Sequence, residues 1–312
     1  MASLNNETAA SQDFSAISPS AYALLKMKGH TNIPFAREAA ALLENVNNGQ
    51  DMFTADFGLG SANYWITVMH FESRYWSIDQ LLDDQSFTNI LEISSGFSFR
   101  GLALSRHQPV FYIDTDLEGV IAGKQRFVDA LIAGDRVARA TEADGNAKNP
   151  PGHYELQPLN VLDPAAFRKI IARFPPGPIA IVNEGLLVYL DDAEKEGLGQ
   201  NIREGLLTRG GCWITADIYL KRQAGDPLPG QSEASRQWHE QHKIEEKKFD
   251  NFEEARSFFH RMGFTVDKEA PPNYDRLSSL ARLREAGGAE AISYLRQPGR
   301  TRLHATWRLL PS

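Results

Sequence analysis

Residues 89–101 read Asn89-Ile90-Leu91-Glu92-Ile93-Ser94-Ser95-Gly96-Phe97-Ser98-Phe99-Arg100-Gly101. A short apolar run meets a turn of small residues, and a helix-like segment follows over 100–106. That succession predicts a strand, a tight turn and a helix. Gly96 is the turn residue best able to let the backbone approach a ligand, since it has no Cβ in the way. Glu92 lies at the strand end beside it. A strand-to-helix loop with an incidental glycine is the lesser alternative, and on its own the turn is a weak signal, so the surrounding pattern has to decide.

Working outward, short apolar runs recur at 110–113, 154–159, 179–187 and 212–219, with helix-like segments at 117–133, 164–173 and 191–208. Strands alternating with helices imply a parallel sheet covered on both faces. The unbroken apolar stretch Ile179-Ala180-Ile181-Val182 suits a strand buried on both sides. Near the end, 251–262 reads as a helix stopped by Gly263, and Phe264-Thr265-Val266 follows as a strand. Residues 302–310 alternate apolar with polar, which predicts a late strand paired antiparallel. Upstream the pattern is helical. The expected organisation is a disordered tail over 1–17, a helical N-terminal cap over 18–86 and an α/β domain over 87–312. The polar, Pro/Gly-punctuated stretch around 221–248 is expected to be a lid-like insertion.

Composition narrows the function classes. The chain has 312 residues and a formal net charge of −7, against the basic face that a nucleic-acid binder needs. One cysteine, Cys212, leaves no disulfide framework and fits a reducing compartment. The first residues lack the basic and apolar regions of a secretory signal, and no apolar run approaches the roughly 18 residues of a membrane span. A cytoplasmic protein with no membrane partner is expected.

In open α/β sheets, ligands bind beyond the carboxyl ends of the strands. The second strand ends in Asp114-Thr115-Asp116, about 20 residues past the glycine turn, where a carboxylate can accept both hydroxyl protons of a ribose. Either aspartate is also explained as a helix N-cap. After the third strand, Asn160 can read an adenine amino group and Val161 can pack its ring. Asp163-Pro164 is more simply a helix cap. The fourth run gives Asn183-Glu184-Gly185, a carboxylate at a strand end, for which a cationic ligand would be a partner. Tyr189, Tyr219 and His70 are the candidates for an acceptor pocket, and no general base stands out.

The runs ILEISSGFSFRG, YIDTDLEGVIAGK and IVNEGLLVYL, together with FDNFEEARSFFHRMGFTV, resemble in order and spacing the leucine carboxyl methyltransferase family, which includes bacterial polyketide O-methyltransferases of the tetracenomycin type. The likeness runs from about residue 18 onward. It implies a Rossmann-like class I methyltransferase fold with a mostly parallel seven-stranded sheet, and S-adenosyl-L-methionine as cofactor. It also implies O-methylation of a small-molecule hydroxyl or carboxylate. By that resemblance Arg74 holds the cofactor carboxylate, Gly96 lies at its methionine portion, Asp116 at the ribose, Asn160 and Val161 at the adenine, and Glu184 near the amino group. The family turn usually reads GAGFDTR, whereas Ser94 and Ser98 here replace glycine and aspartate, and Asn160 stands where aspartate is common.

Rival readings remain. An NAD(P)-dependent oxidoreductase needs G-x-G-x-x-G after the first strand to seat a pyrophosphate, and Ser94-Ser95-Gly96-Phe97-Ser98-Phe99 does not supply it. A non-catalytic methyltransferase-like binding module is the second rival. No metal site is expected: His239 and His242 are three apart, not the four of a zincin helix, and Cys212 reads as a core residue.

Overall fold

The computed structural model describes residues 18–44, 60–141, 152–221, 237, 240–297 and 302–312. The expected tail over 1–17 lies outside the described residues, as do 222–236 of the expected lid and His239.

Seven strands form one sheet: β1 (Asn89–Ile93), β2 (Phe111–Asp116), β3 (His153–Pro158), β4 (Ile179–Asn183), β5 (Gly211–Tyr219), β6 (Phe264–Glu269) and β7 (His304–Pro311). Their order is β3-β2-β1-β4-β5-β7-β6. The first five run parallel, and β7 is inserted antiparallel between β5 and β6. This is the Rossmann-like sheet of the class I methyltransferase fold.

Alternation along each central strand sends side chains to opposite faces. Leu91, Ile179 and Ile181 enter the core under one layer of helices, while Ile90, Ala180 and Val182 enter the other. All five residues of β1 and of β4 are buried. Each large aliphatic side chain so buried contributes roughly 1.5–3 kcal/mol relative to exposure.

The helices are α1 (Ser18–Lys28), α2 (Ala36–Glu44), α3 (Ala62–Asp83), α4 (Arg100–His107), α5 (Glu118–Thr141), α6 (Pro164–Ile171), α7 (Asp192–Arg209) and α8 (Phe252–Arg261). Two short ones, α9 (Ser279–Glu285) and α10 (Ala289–Leu295), were not signalled by the sequence pattern. Asp163 caps α6 as expected, accepting from Ala165 N and Ala166 N. Asp191 and Glu194 close a reciprocal capping box at α7. Residues 240–249 return to the sheet, where Phe249 N donates to Tyr219 O at 2.9 Å and Lys221 N to Phe249 O at 2.8 Å. No helix among the described residues is long and apolar enough to cross a membrane.

One strand boundary corrects the sequence reading. The fourth apolar run extends to Leu187, but β4 stops at Asn183. Gly185 takes φ +81°, and Leu187–Tyr189 winds into a 3-10 turn. β2 runs beyond the apolar core at 110–113 to Asp116, the strand end expected, and Asp114 lies within it, level with Glu92 of β1.

Candidate functional site

A cleft opens beyond the carboxyl ends of β1 to β4, walled on its other side by α1. Glu92, Gly96, Asp116, Asn160, Val161, Glu184 and Tyr189 line it. Arg74, Asp114, Tyr219 and His70 are not among the lining residues.

The turn after β1 is built from two left-handed residues, Ser94 at φ +50° and Gly96 at φ +49°. It is pinned to β2: Ser95 N donates to Thr115 O at 2.9 Å, and Gly96 N to Asp116 Oδ2 at 2.8 Å. Below it, Lys124 Nζ donates to Ser95 Oγ at 2.9 Å and pairs with Asp114 at 2.8 Å. Asp114 is fully buried and also accepts from Tyr154 Oη at 2.6 Å. Its carboxylate therefore faces the protein interior and supports the turn through Lys124, which removes it from the ribose position considered above. Asp116, two residues on and at the strand end, remains. Burial pushes its carboxyl upward, against the hydrogen bonds from Gly96 N and Leu117 N that lower it.

Glu92 is turned under the glycine turn, where Oε2 accepts from Tyr112 Oη at 2.6 Å. Asn160 is exposed, and its Oδ1 accepts from Leu162 N at 3.1 Å. Val161 is buried.

Glu184 does not await a ligand for its charge partner, as the bare sequence suggested. Lys28 Nζ of α1 donates to its Oε1 at 2.7 Å, Arg74 Nη2 lies 3.4 Å from the same oxygen, and Arg100 Nη2 lies 3.6 Å from Oε2. Burial alone would raise the Glu184 carboxyl, but the three cations outweigh it and hold it at about 2. Arg74 is buried in α3 beside the cleft and donates from Nη1 to Tyr219 Oη at 2.9 Å. Its Nε and Nη2, the Nε and Nη2 of Arg100, and Glu184 Oε2 are buried and make no hydrogen bond. Buried donors without a hydrogen bond are costly, and here their charge is met by ion-pair contacts of 3.4–3.9 Å to Glu184, Asp217 and Glu92.

Of the acceptor candidates, Tyr189 lies in the cleft, its Oη 3.4 Å from Ser20 Oγ, with burial pushing its phenol up to about 12. Tyr219 and His70 sit behind Arg74, joined by a 2.9 Å hydrogen bond between Tyr219 Oη and His70 Nε2. Cys212 is buried within β5, where burial pushes its thiol up to about 12. Among the described residues no group of three or more His, Cys, Asp or Glu could hold a metal.

Sequence reasoning missed Lys28, Arg100 and Asp217. The one available signal was spacing: Ser20, Leu24 and Lys28 recur every four residues and so share a helix face, and all three line the cleft.

No protein-family model matches the chain, and no curated protein does. Solved structures match remotely. LepI, solved in complex with SAM, is 13% identical over 75% of this chain and 46% of its own, with a TM-score of 0.41. An O-methyltransferase family protein from Burkholderia thailandensis is 14% identical over 80% and 59%, TM-score 0.45. The N,N-8-amino-8-demethyl-D-riboflavin dimethyltransferase RosA from Streptomyces davawensis is 15% identical over 94% and 69%, TM-score 0.44. The chain spans about half the length of the first structures it matches. At such scores the likeness decides nothing about activity, which has to be read from the cleft.

Proposed function

We propose that this chain is an S-adenosyl-L-methionine-dependent methyltransferase that methylates an oxygen of a small molecule. The observation that carries the proposal is the gathering, in one cleft at the strand ends, of the Gly96 turn, the strand-end carboxylate of Asp116 and the cationic corner around Glu184. The residues fit the cofactor at both ends. Asp116 would take the ribose hydroxyls, with Asn160 and Val161 at the adenine. Lys28 and Arg74 would hold the α-carboxylate, whose oxygens suit Arg74 Nη2, a donor that makes no hydrogen bond within the protein, and Glu184 would face the α-amino group.

When bound, the cofactor supplies an electrophilic methyl group on a sulfonium. Transfer of that methyl is an in-line displacement, and most of what a protein adds is alignment. Here α1 closes one wall, Gly96 would let the backbone come close, and the fixed charges at Glu184 would orient the amino-acid end. The motif resemblance to leucine carboxyl methyltransferases and tetracenomycin-type enzymes supports an oxygen acceptor. The single thiol fits the reducing conditions of the cytoplasm, where we place the protein.

The test is turnover. Methyl-labelled cofactor is incubated with a panel of phenols, enols and carboxylic acids, and label in the acceptor is measured against S-adenosylhomocysteine formed. Equal amounts of both establish the activity and its acceptor class. Tight cofactor binding with no label transferred across the panel would favour a binding module, and hydride transfer from NAD(P)H would favour the oxidoreductase.

A further inference from the structure

Asp217 lies on β5, one strand beyond Glu184, and makes none of the ligand contacts proposed above. Its side chain is fully buried. Oδ1 accepts from Gly185 N at 2.6 Å, and Oδ2 accepts from Leu186 N at 2.6 Å, Leu187 N at 3.0 Å and Asn183 Nδ2 at 2.6 Å. Four donors thus converge on one carboxylate, three of them on Oδ2. Three of the four are consecutive backbone amides immediately after Glu184. Asn183 is itself held in place, since its Oδ1 accepts from Trp213 Nε1 at 2.6 Å.

A buried carboxylate capping a tight turn would explain the hydrogen bonds alone. Two further facts tie Asp217 to the cleft. Arg74 Nη2 stands 3.9 Å from Asp217 Oδ1 and 3.4 Å from Glu184 Oε1, so one guanidinium is shared between the two carboxylates. A Cβ at Gly185 would come within 3.0 Å of that same Nη2. The exit from β4, the Glu184 backbone and the Arg74 head group are therefore all set from β5. The ribose and adenine ends of the cleft belong to β2 and β3, on the other side of β1.

We propose that Asp217 is the positioning residue for the amino-acid end of the ligand, acting through Gly185 and Arg74 to set recognition of an α-amino carboxylate borne on a thio-nucleoside. This rests on the cofactor reading given above. It predicts that losing Asp217 separates the two ends of the cleft: the amino-acid end fails while the nucleoside end still binds.

The experiment compares S-adenosylhomocysteine with 5′-methylthioadenosine, which keeps the nucleoside and sulfur but lacks the amino-acid end. Both are titrated by calorimetry into wild type, Asp217→Asn and Gly185→Ala, with thermal melts alongside. In Asp217→Asn an amide NH2 must face one set of N–H donors. The expected result is S-adenosylhomocysteine binding weakened by about tenfold or more, with methylthioadenosine affinity unchanged. If Asp217→Asn does not fold, Gly185→Ala disturbs the same loop from the opposite side, and the same split is expected. Equal weakening of both ligands, or of neither, overturns the proposal. Wild type binding neither ligand would instead bring down the cofactor reading, and this inference with it.

Discussion

Lys28, on the first helix, and Glu184, at the end of the fourth strand, form an ion pair of 2.7 Å between α1 and the sheet. The pair joins residues 156 positions apart, and it closes one wall of the cleft onto the other. Replacing Lys28 with Met keeps the aliphatic stem but removes the charge. S-adenosylhomocysteine affinity is expected to fall by about tenfold, because a charge-assisted hydrogen bond is lost at the carboxylate end. The acid limb of stability should change as well. The Glu184 carboxyl is depressed in the folded state, to about 2 against an ordinary 4.5. Its contribution is therefore complete above 4.5 and lost as pH falls toward 2. Melts of Lys28→Met should fall less steeply through that window than wild type, and parallel curves would count against the pair.

Asp116 and Asp114 are separated by one residue and differ in kind. Asp116→Ala is expected to weaken S-adenosylhomocysteine by about tenfold or more with the domain still folded, since a ribose diol and Gly96 N both lose their acceptor. Asp114→Asn should instead lower the melting temperature, because Lys124 is left buried without its carboxylate. The two effects are read by calorimetry and by thermal melts, and an interchange of the two outcomes would refute the assignment.

His304 reports on the pocket behind Arg74. Its Nε2 lies 2.7 Å from Ala216 O and so carries the proton. Burial, with Arg74 nearby, lowers the imidazole to about 4 from an ordinary 6.5. A histidine depressed on folding contributes stability above 6.5 that is lost as pH falls toward 4. Asp79 works in the opposite sense, since burial raises it to about 6 from 3.8, so the comparison has to be between variant and wild type. His304→Gln keeps a donor for Ala216 O and cannot titrate. Between pH 7 and pH 5 it should lose less melting temperature than wild type, and an equal loss would contradict the placement.

Glu72 is fully buried in α3 and accepts four hydrogen bonds, from the amides and hydroxyls of Ser278 and Ser279. It ties the C-terminal helices to the N-terminal ones. Glu72→Ala is expected to cost about 2–4 kcal/mol, a fall of roughly 3–6 °C in melting temperature for a chain of this length. Thermal melts measure it directly, and an unchanged midpoint would show that this contact does not hold the two regions together.

The strands were legible because both faces of the sheet are covered, so Ile90-Leu91 and Ile179–Val182 had to be apolar in unbroken runs. The same logic overran at Leu186-Leu187. These residues are equally apolar and buried, yet Asp217 takes their amides out of the ladder. Asp114 and Asp116 both stood as candidates because the pattern places a strand end only to within a few residues, and β2 runs three residues longer than its apolar core. Arg100, buried against Tyr75 and Asp79, and Lys28 carry no local signature of their partners. What selects them is contact across the fold, and a single chain read in order does not display it. The segment carrying α9 and α10 is fixed by Glu72 in the same way, from more than 200 positions away.

The central claim is that the cleft takes a sulfonium nucleoside, and calorimetric titration of the purified protein tests it most directly. S-adenosylmethionine and S-adenosylhomocysteine are compared with NAD and NADP under the same conditions. Micromolar or tighter binding of the two sulfur ligands, with no heat from the dinucleotides, is the predicted result. No binding of either sulfur ligand, or a preference for NAD, would contradict it.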